Sequence, residues 1–465
     1  MSTAAGSSRT SSASSSANLS PAPPASLGYA WYVVLVLMVC YTLSFIDRQI
    51  LSLLIAPMKR DLAISDTRVG LLQGLAFALF YTILGLPLGR IADTGSRRRL
   101  VSLGVLFWSV ATALCSAAGS FFTLFLARMG VGVGEATLAP GAFSMITDYF
   151  PKEKLGKALS VYSMGIFLGS GLALIVGGSV VQVTATMPAL DVPVLGMIAS
   201  WRLTFLLVGA PGLLVGLWAM TIKEPVRKSL LRSASGGAST LTVSQVATEV
   251  KARWQSVLGI SFAMVFQSMC TYSFNAWGPA FFQRVHHWTP AQTGRGVGII
   301  TLTFGCLGMW VGGALADRWS KQGIRESHLR IGVIAGIGQL IFFVPAMTAS
   351  DPYVTLALLG PAMFFLALPS GTAYAALQLI LPNQIRGQVS ALFVFIFNLG
   401  GLSLGPLLPG VFNDYFFHDG QKVGTSVAIS ITIGSILAVI IWRMIYAPYR
   451  RHSEEMDALM LANAK

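Results

Sequence analysis

Charged side chains are scarce in this chain of 465 residues: Asp, Glu, Lys and Arg make up 11% of it, where a soluble domain carries about 25%. So little charge cannot give a chain of this length a water-facing surface, and lipid must be the solvent for most of it. Cysteine is nearly absent. The four present, Cys40, Cys115, Cys270 and Cys306, each lie within an apolar run, which reads as packing and excludes a disulfide framework. The five histidines, His286, His287, His328, His418 and His452, fall in connections or the C-terminal tail. No metal-ligand cluster, His/Asp pair within an apolar run, or phosphate-cradling glycine loop with Lys is found. The residues therefore offer no case for an enzyme and call for no cofactor or metal. The first 27 residues are mostly Ser, Ala and Pro with one charged side chain, Arg9. They read as a disordered tail and lack the basic start, apolar stretch and cleavage site of a signal peptide.

What the chain has in abundance is apolar sequence: 54% of residues are hydrophobic and the mean hydropathy is +0.68. Crossing about 30 Å of hydrocarbon takes about 20 apolar residues in a helix. Runs of that kind begin near Ala30, Val69, Leu100, Phe122, Lys157, Trp201, Val257, Arg295, Ile331, Tyr353, Gln388 and Thr425. The chain is thus expected to be an all-α membrane protein with twelve transmembrane helices. Glycines inside these runs allow helices to approach closely.

The net charge of +14 could suggest nucleic acid, but its placement speaks for topology. Lys and Arg concentrate in alternate connections: Arg97, Arg98 and Arg99; Lys152, Lys154 and Lys157; Lys223, Arg227, Lys228 and Arg232; Arg318, Lys321, Arg325 and Arg330; Arg386. Arg450 and Arg451 follow in the tail. The other connections are poorer in base, with Lys59, Arg60, Arg68, Arg284 and Arg295 as exceptions. Basic segments stay in the cytoplasm, so both termini are expected there, in a plasma (inner) membrane.

A repeat is visible. Residues 70–93 align without gaps to 294–317, ending in Gly89-Arg-Ile-Ala-Asp93 and Gly313-Ala-Leu-Ala-Asp317. Residues 151–156 echo 382–387. The expected organisation is a tail (1–27), a six-helix bundle (28–222), a polar linker (223–254), a second pseudo-symmetric six-helix bundle (255–447) and a second tail (448–465). Repeats of this kind mark secondary transporters, whose substrate site lies between halves at mid-membrane. The two-fold repeat and scarce charge count against a channel.

Twelve spans, a six-plus-six repeat and Gly-x-x-x-Asp after spans two and eight resemble the major facilitator superfamily. The loop 89–98 is similar to its signature loop, with Thr94 and Ser96 departing from the usual pattern, and residues 128–136 resemble a second signature. Its fifth-span antiporter signature is unmatched; Gly169-Ser170-Gly171 stands there. Phe45-Ile-Asp-Arg48, Gly132-Val-Gly-Glu-Ala136, Gly169-Ser-Gly-Leu172 and Trp277-Gly-Pro-Ala-Phe281 resemble the Spinster-like branch, as do Trp201-Arg202 and Glu224-Pro225-Val-Arg227. That resemblance implies proton-linked transport of amphiphiles such as lysophospholipids or sphingoid phosphates, by alternating access in a single-chain carrier. The organic anion:cation symporters share the Asp-Arg and Gly-Glu pairs, so a small organic anion symporter stays open, as does a multidrug exporter.

A charge at the bilayer centre costs at least about 2.5–3.5 kcal/mol on insertion scales, so each one is a functional candidate. The spans hold few: Asp47 and Arg48 in the first, Arg128 and Glu135 in the fourth. At about 1.5 Å per residue, Asp47 and Arg128 reach similar levels, which permits an Asp47–Arg128 ion pair, and Glu135 lies roughly 10 Å deeper on the face of Arg128. Burial favours a neutral carboxyl, which makes Glu135 and Asp47, with Arg128, the expected proton-coupling residues. Arg48 and Arg128 could hold an anionic head or stabilise the deprotonated acid. Phe274, Asn275, Trp277, Tyr374, Phe397 and Asn398 are candidates to line the cavity. Asp93, Arg97, Asp317 and Arg318 stand where spans two and eight leave the membrane, and the resemblance implies a latch there, with Asp148 as a partner of Arg97.

Overall fold

The computed structural model describes residues 26–192, 196–225, 243–382 and 385–463. Most of the first tail and the middle of the expected linker lie outside the described residues. Twelve helical segments are long and apolar enough to cross a membrane. The first half supplies spans one to six: Leu27–Leu53, Asp66–Gly85, Arg97–Ala117, Phe121–Tyr149, Lys157–Thr186 and Ser200–Ala219. The second supplies spans seven to twelve: Trp254–Arg284, Pro290–Lys321, Ser327–Thr348, Pro352–Leu379, Gln388–Phe417 and Gly420–Met444. Local chemistry sets several starts. Ser120 and Thr123 form a capping box before span four, Thr289 and Gln292 another before span eight. Asp351 accepts from the amides of Tyr353 and Val354 at the head of span ten. Each satisfies amides that the first helical turn leaves without a partner.

The two halves repeat the same packing. Span one packs on five, two on four and three on six; seven packs on eleven, eight on ten and nine on twelve. Between halves, span two meets eleven and span eight meets five. Two glycine pairs matched by the sequence repeat make these contacts. A Cβ on Gly70 would lie 2.5 Å from the Pro406 carbonyl oxygen, and one on Gly294 would lie 2.0 Å from that of Leu174. Gly74 and Gly298, one turn on, face the carbonyls of Leu402 and Gly171 in the same way. At the other end of the same two spans, Gly89 and Gly313 have no neighbour within 4 Å of a Cβ. The halves therefore close tightly on the side away from the termini and part toward the termini. Every hydrogen bond between halves among the described residues lies on the closed side.

Additions to the twelve-helix plan are small. A two-stranded antiparallel ribbon, with Leu190 opposite Ile198, joins spans five and six. A helix at Val243–Ala252 precedes span seven. The segment expected as a second tail is a helix, Tyr446–Asn463, whose Tyr449, His452 and Met456 are buried against the second half.

Candidate functional site

Span four is broken immediately after Glu135: one helix ends there and the next begins at Leu138. Broken helices at membrane depth occur where they line a cavity or site. Glu135 is 1% exposed. One carboxylate oxygen, Oε2, accepts from Ser44 Oγ at 2.5 Å and Arg48 Nε at 2.6 Å. The other, Oε1, is buried with no hydrogen-bond partner among the described residues. Ser44 and Arg48 reach the same acid because they are four residues apart, on one face of span one.

Arg48 is boxed by aromatic faces, with its guanidinium carbon 4.3 Å from the Phe77 ring centroid, 4.8 Å from Tyr81 and 5.1 Å from Phe45. Such cation–π contacts hold a cation where water is scarce. It lines a small cavity of about 40 Å³ between the halves, together with Gln49, Gln73, Arg128, Tyr272 and Asn275. That is room for water but not for a substrate. Gln49 donates to the Asn275 main-chain carbonyl at 2.7 Å and so ties span one to span seven.

The Asp47–Arg128 ion pair that the matching levels permit does not form. Arg128 Nη1 donates to the main-chain carbonyl of Asp47 at 3.2 Å, and no ion pair joins the two side chains. Both are buried, and Arg128 Nε has no partner among the described residues. The levels match, but it is the main-chain carbonyl of Asp47 that the guanidinium meets.

Of the six cavity candidates in the second half, Asn275 lines the cavity. Phe274 and Trp277 do not: they are 1% and 0% exposed. Phe274 packs edge-on to Phe343 of span nine, and the Trp277 indole donates to the Pro406 carbonyl at 2.8 Å. Helix rotation decides this. Residues 274 and 277, three apart, share one packed face of span seven, and 275 is turned about 100° from 274, toward the cavity. Tyr374 and Phe397 are half-buried and cluster with Phe393, and Asn398 is half-buried beside them in sequence.

On the side of the termini, Arg97 contacts Asp148 through Nη1 and Glu224 through Nε at 2.9 Å. Arg97 and Asp148 belong to the first half and Glu224 directly follows its last span, so this cluster ties the ends of spans three, four and six to one another. Glu224 also accepts from the amides of Arg97 and Arg98 and from Ser96 Oγ at the start of span three. Burial pushes the Glu224 carboxyl up, but these donors, the Arg98 amide foremost, hold it below the ordinary glutamate value. Asp317 and Arg318 are exposed and enter no ion pair among the described residues. The Asp93 side chain lies outside the described ones.

A second polar cluster, on the closed side, was not singled out from sequence. Asp66 opens span two and is fully buried. It accepts from Arg284 of span seven in a two-pronged pair at 2.7 and 2.9 Å, from Lys59 at 2.5 Å and from Asn413 at 2.9 Å. In return Asp414 of the second half accepts from the amides of Asp66 and Thr67 at 3.2 and 2.6 Å, capping span two from across the interface. Asn413 and Asp414 lie on a π-helical turn that ends span eleven. The signal was available: Lys59 and Arg284 are two of the exceptions to the basic-residue asymmetry, and here both are used by one buried acid.

Comparison with known proteins agrees with this architecture. The model of the Major Facilitator Superfamily matches residues 37–406. An MFS-type efflux pump of Mycolicibacterium smegmatis is 29% identical over 437 residues, covering 91% of this chain and 94% of the relative. The sphingosine-1-phosphate transporter SPNS2 of Mus musculus is 29% identical over 399 residues, 80% of this chain and 68% of its own. Transporters of sugar acids are also among the relatives. Among solved structures, a bacterial homolog of the human lysosomal transporter Spinster, inward-facing and unoccupied, superposes with a TM-score of 0.73 at 24% identity, covering 92% of this chain and 98% of that one.

Proposed function

We propose, since the chain belongs to the Major Facilitator Superfamily and resembles its Spinster-like branch, that it is a proton-coupled carrier of anionic amphiphiles working by alternating access. That it is a transporter and not an enzyme follows from the family. The proton and the amphiphile are the added reading, and one observation carries it: Glu135 is buried with Oε2 on Arg48 and Oε1 bare.

Arg48 can neutralise either the Glu135 carboxylate or the anionic head of a substrate, since one guanidinium buried among rings has little room for both. A proton delivered to Oε1 neutralises the acid and frees Arg48 for the substrate; release of substrate returns Arg48 to the acid and expels the proton. Proton and anion thus favour one another's binding, with a coupling of the usual 1–3 kcal/mol, about 5- to 150-fold. Arg128, with an unpartnered Nε near the same cavity, is a second contact for the head. Tyr374, Phe397 and their neighbour Phe393 would offer apolar walls to a tail. Gln49, Tyr272 and Asn275 would help enclose the head.

The Asp66–Arg284 clasp and the glycine contacts hold shut the side away from the termini, and opening that side requires breaking them. With both termini in the cytoplasm of a cell-membrane protein, as the basic residues imply, this is the inward-open state of the cycle. Arg97, Asp148 and Glu224 then form the cytoplasmic cluster at the ends of spans three, four and six, open to Asp317 and Arg318 of the second half once the inner side closes.

Proton movement in proteoliposomes tests the reading. Lysophospholipids, sphingoid phosphates and small organic anions are added in turn to wild type and Glu135→Gln. Flux driven by an amphiphile in wild type and lost in the variant is the expected result. Flux driven only by small organic anions would keep the coupling and overturn the amphiphile. Equal flux in both proteins would remove Glu135 from coupling.

A further inference from the structure

A larger cavity lies far from the inter-half site. It measures about 480 Å³ and opens between the termini-side ends of spans eight, nine and twelve and the C-terminal helix. Three arginines enter it: Arg330 from the first turn of span nine, Arg443 from the last turn of span twelve, and Arg450 from the C-terminal helix. One acid, Glu326, is present, so the site carries three positive charges against one negative, a net +2. Glu326 is 3% exposed and accepts from Arg330 at 2.7 Å and Arg450 at 2.9 Å, which fixes those two side chains. Burial pushes the Glu326 carboxyl up, but these donors bring it below its ordinary value and keep it charged. Donor capacity remains beyond this pairing. Arg330 Nε is buried without a partner, and Arg443 lies over the Tyr446 ring at 4.9 Å without an ion pair among the described residues.

The surroundings of the cavity indicate where its ligand comes from. Trp319 and Tyr446 border it, residue types that concentrate at the level of lipid headgroups. Below the arginines the lining turns apolar. On span nine, Arg330, Ile334, Ile337 and Ile341 follow one helix face. On span twelve, Arg443, Ile440, Ile436 and Ile433 do the same in the opposite chain direction. Ile337 and Ile341 are 45% and 57% exposed, and Ile440, Ile436 and Ile433 are 47%, 44% and 39% exposed. Spans nine and twelve pack closely through Gly332 against Trp442 and Gly336 against Val439. On span nine this stripe lies on the face opposite Gly332 and Gly336, so the two stripes are separate exposed apolar faces below the arginines. A cationic pocket at headgroup level, with exposed apolar helix faces on its membrane side, matches a lipid better than a soluble anion.

We propose that this cavity is a binding site for an anionic phospholipid of the surrounding bilayer, with the phosphate held by Arg330, Arg443 and Arg450 and the acyl chains lying against the exposed apolar faces of spans nine and twelve below it. Basic pockets between spans on the cytoplasmic side are suited to such headgroups. The site is independent of the transport cavity: none of its residues lies on the first half.

Native mass spectrometry of the detergent-purified full chain tests this, with phosphatidylglycerol, phosphatidylcholine or inorganic phosphate added. Wild type should retain phosphatidylglycerol in preference to phosphatidylcholine, and Arg443→Gln should lower that preference about fivefold, the effect of one basic residue at an anionic surface. Arg443→Lys should restore most of it, and Arg451→Gln, outside the cavity, should leave it unchanged. Salt provides a test without substitution: the preference should fall steeply as ionic strength rises. Equal retention of the two lipids, or a preference untouched by both Arg443→Gln and salt, would overturn the proposal. Inorganic phosphate binding in place of lipid and displacing it would overturn the lipid assignment.

Discussion

Replacing Arg284 by Ala should loosen the closed side of the molecule by an amount the geometry sets. The perturbation removes both prongs of a guanidinium pair from Asp66, which is fully buried. Stripping the partner from a buried charge costs about 3–5 kcal/mol. Lys59 and Asn413 still donate to the same carboxylate, so the loss is smaller, about 2 kcal/mol, in the range of one hydrogen bond to a charged group. At about 1.4 kcal/mol per factor of ten, the equilibrium between closed and open on this side shifts about 30-fold. A preference of about 100:1 would fall to about 3:1, leaving roughly a quarter of the molecules open. Spin labels at Arg60 and Tyr415, both exposed and on opposite halves beside the clasp, report the change by double electron–electron resonance. Wild type should give one short distance, and the variant a second, longer one of substantial weight. Asp66→Asn should shift the populations in the same direction, and the double variant should add little, because both changes act on one pair. A distance distribution in Arg284→Ala that matches wild type would refute the assignment of this clasp as the element holding that side shut.

Other outcomes follow from the same geometry. Gly294→Val places a branched side chain where even a Cβ would be 2.0 Å from the Leu174 carbonyl oxygen; the closed side cannot then form as seen, so the same label pair should report a long distance and transport should stop, with the protein still folded. Arg48→Lys keeps the charge but loses the planar group that stacks among Phe45, Phe77 and Tyr81; binding of an anionic substrate should weaken at least tenfold by equilibrium binding. Glu224→Gln removes a carboxylate from the start of span three and should cost about 1 kcal/mol of stability near neutral pH. Because the Glu224 carboxyl is held below its ordinary value, its contribution is fully present above the unfolded glutamate range and is lost as pH falls through the lowered one. The gap in melting temperature between wild type and variant should therefore close on acidification.

Much of the fold was legible because lipid imposes a strong pattern. Twelve runs of the right length, basic residues in alternate connections and the aligned segments at 70–93 and 294–317 led to two related bundles. The structure adds what the repeat is for: Gly70 with Gly294, and Gly74 with Gly298, occupy equivalent contacts between halves. The buried charges were legible because the spans hold so few. Their partners were less so. Matching the levels of Asp47 and Arg128 ignored helix rotation, and Arg48, four residues after Ser44, takes the acid that reads deepest in span four. Phe274 and Trp277 are packed and do not line the small cavity of this structure, and a run of aromatics in an apolar span does not say which of them faces inward. The Asp66 cluster escaped notice because its acid lies at a span end, 218 residues from Arg284. Such pairings are written in tertiary structure, though the out-of-place bases at Lys59 and Arg284 marked where to look.

The central claim is that Glu135 and an anionic substrate compete for Arg48, and the pH dependence of binding tests it most directly. A lysolipid with a phosphodiester head, whose own charge is constant across the range, is titrated into detergent-purified wild type and Glu135→Gln between pH 5 and pH 8. The account predicts that wild type binds more tightly as pH falls, while Glu135→Gln binds with the acid-side affinity at every pH. Parallel pH dependence in the two proteins, or wild-type binding that strengthens as pH rises, would contradict it.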